Sequence, residues 1–297
     1  MNKKVLNKML EVAKEIISKN DCVNDSGFRV GAALLTRSGK IYCGHNIENN
    51  GIQATCSERT TFSIAISEGE REFVGILVLA SPDNGKTFVD AWPCGYCREF
   101  MSSFLGGDFE IYTIDENEKF VRKTLKELAP LHDFTDRKNY ELDENARIVV
   151  KSDYFEEKIS NQIDDEKMAE LLVVAKEYSE NTVKYPYNEV ALLFGFNDEN
   201  EKVYFAGCTI FDGNGTILRA PRVAMLKALA NGVRKFDKII TLRFEKAIPK
   251  KLFPSYDTIQ FLLQYGSPDL KIHTFDFDEN KGYETVLKDE IPNFFVF

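Results

Sequence analysis

The chain has 297 residues, 43% of them hydrophobic, long enough for two domains with cores of their own. Its net charge of −9, with no run of lysine or arginine, argues against a polyanionic partner such as nucleic acid. No apolar stretch approaches the ~20 residues of a membrane span. The charged start Met1-Asn2-Lys3-Lys4 lacks a signal peptide's apolar core, so a cytoplasmic protein is expected.

In chain order, residues 4 to 20 place apolar side chains at helical spacing. Phe28 to Thr36 and Lys40 to Gly44 predict two strands joined at Ser38-Gly39. A helix is expected from Cys56 to about Glu68, stopped by Gly69. The continuous apolar run Phe73 to Ala80 predicts a strand covered on both faces. A helix from Cys94 to Phe104, a strand from Phe109 to Ile114 and a short helix Leu125–Leu128 follow. The expected fold is a three-layer α/β/α sandwich with a mixed sheet.

Residues 135 to 165 are charged and hold neither glycine nor proline, which reads as a linker between domains 1–134 and 166–297. The second half repeats the first. Gly44, Arg59, Gly69, Ile76 and Leu79 recur 163 positions later as Gly207, Arg222, Gly232, Ile239 and Leu242; Pro93 and Phe100 recur as Pro254 and Phe261. The element order also recurs, from a helix at 166 to 181, through strands near Glu189–Phe196 and Lys202–Cys208, to a strand at Leu270–Phe275. The fold is therefore expected to be duplicated.

Chemistry concentrates in Thr55-Cys56-Ser57-Glu58-Arg59 and Pro93-Cys94-Gly95-Tyr96-Cys97. A lone Cys-x-x-Cys also fits a structural zinc knuckle or a redox motif. A structural zinc site closes with four protein ligands, whereas Cys22, Cys43, Cys208, His45, His132 and His273 form no second close-spaced pair. The better account is an open site, with Cys56, Cys94 and Cys97 as zinc ligands and Glu58 beside them as a general base. That pattern resembles the zinc nucleobase deaminases.

Four segments in order carry a more specific resemblance: Phe28-Arg29-Val30-Gly31-Ala32-Ala33, Gly44-His45-Asn46-Ile47-Glu48-Asn49, Cys56-Ser57-Glu58-Arg59-Thr60 and Pro93-Cys94-Gly95-Tyr96-Cys97-Arg98. Residues 27 to 105 resemble the cytidine deaminase family. The resemblance implies zinc-dependent hydrolysis of cytidine and deoxycytidine to uridine and deoxyuridine, in pyrimidine salvage, acting on a free nucleoside. It assigns proton transfer to Glu58 and the sugar hydroxyls to Asn46 and Glu48. Phe28 would pack against the pyrimidine or join the core. The Ser57 amide would bind the base carbonyl, and the Pro93 carbonyl would meet the amino group. Arg59 would support the thiolates or lie on the surface. The family's usual continuation departs at Asn49-Asn50-Gly51-Ile52-Gln53, which touches the 5′ side of the sugar. In the second half Arg219, Pro221, Ser255 and Thr258 stand at the positions of Cys56, Glu58, Cys94 and Cys97, and Thr209 and Phe211 at those of Asn46 and Glu48. One zinc per chain, in the N-terminal domain alone, is therefore expected. Two-domain relatives suggest a homodimer of such chains. The apolar tail Pro292–Phe297 is expected to pack into a groove. Alternatives are a modified substrate, such as an aminoacylnucleoside antibiotic, and a non-catalytic zinc-stabilised scaffold.

Overall fold

The computed structural model describes residues 1–23, 26–49, 54–135, 137–151, 157–159, 177, 188–211, 217–244, 256–276 and 281–290. The expected helix at 166–181, the repeat positions Pro254 and Ser255, residues 50–53 and the tail 292–297 lie outside them. The described residues fall into two compact units, one drawn from residues 1–66 and 70–151 and the other from residues 67–69 and 157–290.

The first unit opens with α1 (Lys3–Ser18), capped by Asn2, whose side chain accepts from the Val5 amide. Its apolar stripe, including Leu6, Met9, Ala13 and Ile17, is buried as the spacing predicts. The strands are β1 (Arg29–Thr36), β2 (Lys40–His45), β3 (Phe73–Ser81), β4 (Val89–Asp90), β5 (Glu110–Ile114), β6 (Phe120–Thr124) and β7 (Val149–Val150). Helices α2 (Ser57–Ser67), α3 (Gly95–Ser102) and α4 (Leu125–Leu128) interleave with them. Apart from β4, which pairs with β3, the sheet runs β6-β5-β3-β1-β2-β7. β3 is antiparallel to β1 and parallel to β5, so the sheet is mixed. All nine residues of β3 are buried, as its unbroken apolar run predicts.

Two glycines set the layers. A Cβ at Gly31 would lie 2.8 Å from Ala13 O and the Ile16 side chain, so β1 accepts α1 at close range. Gly44 on β2 faces the other way, where a Cβ would lie 2.9 Å from Thr61 Oγ1. Helix α1 therefore covers one face and α2 the opposite one. Phe62 of α2 packs against Phe73, Phe100 and Phe109, with ring centroids 5.1, 6.2 and 6.1 Å away. This cluster locks α2 and α3 onto the same face.

Residues 137–151, expected in the linker, belong to the first unit. Gly106 N donates to Lys138 O, Asp143 N to Arg37 O, and β7 pairs in parallel with Lys40 and Ile41. Backbone pairing along the sheet edge, rather than apolar periodicity, holds this segment, so its composition conceals it.

The second unit contains β8 (Glu157–Ile159), β9 (Asn188–Phe196), β10 (Lys202–Cys208), β11 (Ile210–Phe211), β12 (Ile217–Leu218), β13 (Lys235–Phe244), β14 (Lys271–Asp276) and β15 (Lys281–Val286). Its helices are α5 (Ala220–Ala230), α6 (Tyr256–Tyr265) and α7 (Leu287–Glu290). The sheet order β15-β14-β13-β9-β10-β8 matches the first through its first five strands; at the edge β8 runs antiparallel to β10, whereas β7 runs parallel to β2. Details match as well. Arg71 Nη1 donates to the carbonyls of Ile66 and Glu70; Arg234 Nη1 donates to those of Leu229 and Val233, each 163 positions later. Leu125 N donates to Phe109 O, and Leu287 N donates to Leu270 O.

Replacing Phe62 by alanine removes the ring that joins α2, α3 and β3. The expected loss is about 3–5 kcal/mol, read as a lower urea midpoint in the fluorescence of Trp92, the chain's single tryptophan.

Candidate active site

The site forms where two helices begin. After β2 the chain makes an isolated bridge between Ile47 and Thr55, with both amide-to-carbonyl distances 2.9 Å. This bridge delivers Cys56 to the residue before α2, where its carbonyl accepts the Thr60 amide at 3.0 Å. Cys94 caps α3 in extended backbone (φ −66°, ψ 168°), and its carbonyl accepts from Arg98 N. Cys97 follows in the first turn of α3. The Arg98 side chain fastens this start, with Nε donating to Pro93 O at 2.7 Å and Nη1 to Leu128 O at 2.9 Å.

The three Sγ atoms lie within 4.8 Å of one another, and those of Cys56 and Cys94 are 3.6 Å apart. Tetrahedral zinc with Zn–S bonds near 2.3 Å separates its sulfurs by ~3.8 Å, so the donor set fits that ion. Cys97 is buried, Cys56 partly buried and Cys94 exposed, which leaves one side of the cluster open. Among the described residues this is the group of three or more Cys, His, Asp or Glu that could hold a metal.

Crowding and helix ends shape the thiols. Hydrogen bonds from Cys56 and then Cys97 push the Cys94 thiol far below the ordinary range, with help from the Arg59 charge. Donating to Cys94 pushes Cys56 up, and donating to Cys56 and Cys94, together with burial, pushes Cys97 up. Both helix N-termini also favour negative sulfur. Burial opposes the charge of Arg59, but the sulfurs of Cys97 and Cys56 outweigh it and hold its pKa above the usual value. Its Nη2 donates to Ala54 O at 2.8 Å, and its guanidinium lies 5.6 Å from the Tyr96 ring centre.

Glu58 is 4% exposed. Burial raises its pKa, opposed by its own backbone amide and by Ser57 Oγ, which donates to Oε2 at 3.0 Å. Glu58, Ser57, Cys56 and Cys94 line one end of a cleft of about 380 Å³. Val30, Val78, Phe28 and Trp92 supply its apolar walls; Asn46, Glu48 and Asp90 supply polar groups. No lysine, arginine or histidine is among the described lining residues.

Most expected site residues thus meet on one cleft. Phe28 is 42% exposed at its wall and does not join the core. Pro93 is buried and does not line the cleft; its carbonyl accepts from Arg98. Trp92 and Asp90 were not anticipated. The tryptophan directly before Pro93-Cys94 was the available signal; an aspartate on a two-residue strand gives none.

Part of the chain also matches known proteins. Residues 3–111 match the family model described as the cytidine and deoxycytidylate deaminase zinc-binding region. A probable cytidine deaminase of Dictyostelium discoideum is 38% identical over 131 residues, covering 44% of this chain and 84% of that protein. The chain belongs to the cytidine deaminase family. A cytidine deaminase of Sporosarcina psychrophila is 38% identical over 106 residues, 35% of this chain and 74% of that one. The solved cytidine deaminase of Burkholderia pseudomallei is 29% identical and covers 45% of this chain and 100% of its own, with a TM-score of 0.39.

In the second unit the corresponding place is closed. Arg219 caps α5, and Pro221 sits in its first turn. By strand register Glu189, Thr241 and Arg243 stand where Val30, Val78 and Ala80 stand in the first unit. Arg243 Nε meets Glu189 Oε2 at 3.1 Å, and both side chains are buried. Thr209 Oγ1, at the position of Asn46, donates to Glu189 Oε1 at 3.2 Å. About 10 Å³ of space remains among these residues.

In reduced, metal-free protein, Cys94 is expected to be alkylated by iodoacetamide before Cys56 and Cys97. Its depressed pKa keeps it a thiolate throughout pH 6–9, so its rate should stay nearly flat there. An ordinary thiol, ionising near pH ~8.5, speeds up about tenfold per unit below that value. Peptide mass mapping at each pH reads the difference.

Proposed function

We propose that the chain is a zinc-dependent hydrolase that deaminates cytidine and deoxycytidine to uridine and deoxyuridine, releasing ammonia. The carrying observation is a buried carboxyl, Glu58, beside three clustered sulfurs on one nucleoside-sized cleft. Cys56, Cys94 and Cys97 hold the ion, and zinc bound there would bring the pKa of a water to near ~7. Arg59 offsets the charge of three thiolates.

Glu58 moves the protons. Ser57 Oγ occupies Oε2, which leaves Oε1 to take a proton from water and deliver it to N3 of the base. The water oxygen adds to C4 as the C4=N3 double bond opens. Glu58 then takes the remaining hydroxyl proton and passes it to the 4-amino group, so that the C4–N bond breaks and ammonia leaves as C4=O forms. Burial raises the pKa of Glu58, a shift that favours handing a proton on as well as taking one. Val30, Val78, Phe28 and Trp92 exclude bulk water, Asn46 and Glu48 receive the sugar, and the Ser57 amide binds the base carbonyl.

Charge selects the free nucleoside. A 5′-phosphate would enter a cleft whose described charged groups are Glu48, Glu58 and Asp90, without a cation to meet it. The same acidic rim supports a second reading, a modified cytosine nucleoside carrying a cationic group.

The second unit is read as a duplicated, non-catalytic copy, supported by the shared strand order and by the Glu189–Arg243 pair that fills its cleft floor. Zinc then binds once per chain, in the first unit, and two chains pair as a homodimer that imitates four deaminase folds. Three ligand thiols require a reducing compartment, which suits the cytoplasm.

Ammonia release from cytidine, deoxycytidine, CMP and cytosine, with zinc measured on the same sample, tests this reading. Nucleosides should turn over and CMP should not; a preference for CMP overturns the nucleoside assignment. Glu58→Gln should keep zinc while kcat falls about 10²–10⁴-fold. Arg243→Met should cost about 3–5 kcal/mol by stranding Glu189, and adding Glu189→Val should recover most of that loss in urea unfolding.

A further inference from the structure

Glu48, the carboxylate assigned to the sugar, is itself held from behind. Ser26 Oγ donates to Glu48 Oε1, and the Ser26 amide donates to Oε2 at 3.2 Å. The same Oγ accepts the Phe28 amide at 2.9 Å. Between them Gly27 adopts φ +63° and donates to Val23 O, a left-handed turn that aims both Ser26 donors at one carboxylate. On the other side Asn46 Nδ2 donates to Phe28 O at 2.9 Å, while its Oδ1 accepts from Val30 N and Asn20 Nδ2, both at 2.8 Å. Ser26 and Asn46 therefore grip the Phe28 backbone from its amide and its carbonyl.

A carboxylate offers about four lone-pair sites. Ser26 donates to each oxygen, which fixes the plane of the group. We infer that Ser26 is a positioning residue, holding the plane of Glu48 so that the carboxylate meets the sugar hydroxyls of a cytosine nucleoside. The inference rests on the proposed cytidine reaction. Ser26 touches no reacting atom; it acts through Glu48 on the sugar, while Asn46 keeps its own hold on the Phe28 carbonyl when the Ser26 hydroxyl is removed.

Two consequences separate the clamp from a general structural role. Its loss should weaken binding rather than chemistry, because Glu58 and the thiols are untouched. It should also matter only for a substrate that carries the hydroxyls Glu48 accepts.

Ser26→Ala and Ser26→Thr are compared with the wild type on cytidine and on 2′,3′-dideoxycytidine, with zinc content and circular dichroism as controls. Ser26→Ala should raise KM for cytidine about tenfold, with kcat held within about twofold and no KM change for the dideoxynucleoside. Ser26→Thr, which keeps the hydroxyl, should restore KM. An unchanged KM, an equal loss on both substrates, or no rescue by threonine overturns the inference. Should the wild type release no ammonia from cytidine, the reaction assignment fails. Calorimetric binding of the two nucleosides then decides the clamp. It stands if Ser26→Ala abolishes a preference for the hydroxylated ligand, and falls if no preference or no binding exists.

Discussion

Three sulfurs within 4.8 Å of one another, at the starts of two helices, are the constraint on which the rest of the first unit depends. Thiols so close cannot all ionise without a cation, and the cluster answers with one strongly acidic thiol and two resistant ones. A divalent ion held there would resolve the conflict by taking all three as thiolates, with two helix N-termini and Arg59 sharing the charge. Binding such an ion would also add folding energy, because it would join α2 and α3 at their starts. The Phe62 cluster joins the same two helices further along. A sulfur clamp at one end and aromatic packing at the other leave little freedom for the cleft between.

The sheet decides where that cleft lies. Gly31 and Gly44 sit on neighbouring strands and face opposite ways, so each admits a helix on its own side at a distance that a Cβ would forbid. Helix α2 descends onto Gly44 and its N-terminus stops beside Val30 and Val78, which become the cleft floor. The beginning of α3 is set independently by Arg98, which ties Pro93 to Leu128 at the end of α4. Distant segments thus set the spacing between Cys56 and Cys94 through backbone contacts, and the metal-binding geometry does not rest on the cysteines alone.

Much of this was legible from residue order. The stripe of α1, the buried run of β3 and Leu125–Leu128 each carry a local signal, and the structure follows them closely. So does the pairing of Pro-Cys-x-x-Cys with Cys-x-Glu, because metal chemistry tolerates few spacings. Segment 137–151 was misread because two-residue strands have no period, and charged side chains look alike on a linker and on a sheet edge. Ser26 gave no warning: an exposed serine in a glycine turn is ordinary until its hydroxyl is seen between Glu48 and Phe28. Glu189 and Arg243 lie 54 residues apart, and each passes for a solvent-facing strand charge until the register makes them neighbours.

That last pair shows how one scaffold carries different sites. The strand order, the arginine that follows α2 in one unit and α5 in the other, and the anchoring of the final short helix are shared. The cleft floors are not. Val30 and Val78 leave an apolar cleft floor in one unit; Glu189 and Thr241 stand at the same register in the other, with Arg243 at the place of Ala80. Once Glu189 and Arg243 are buried together, neither can change alone without stranding a charge. Placing the ligand and glutamate residues of the first unit at Arg219, Pro221, Ser255 and Thr258 would therefore not open the second cleft. The Glu189–Arg243 pair would have to be replaced first, both members together, so the closed floor separates the two units as firmly as the residues at the ligand positions do.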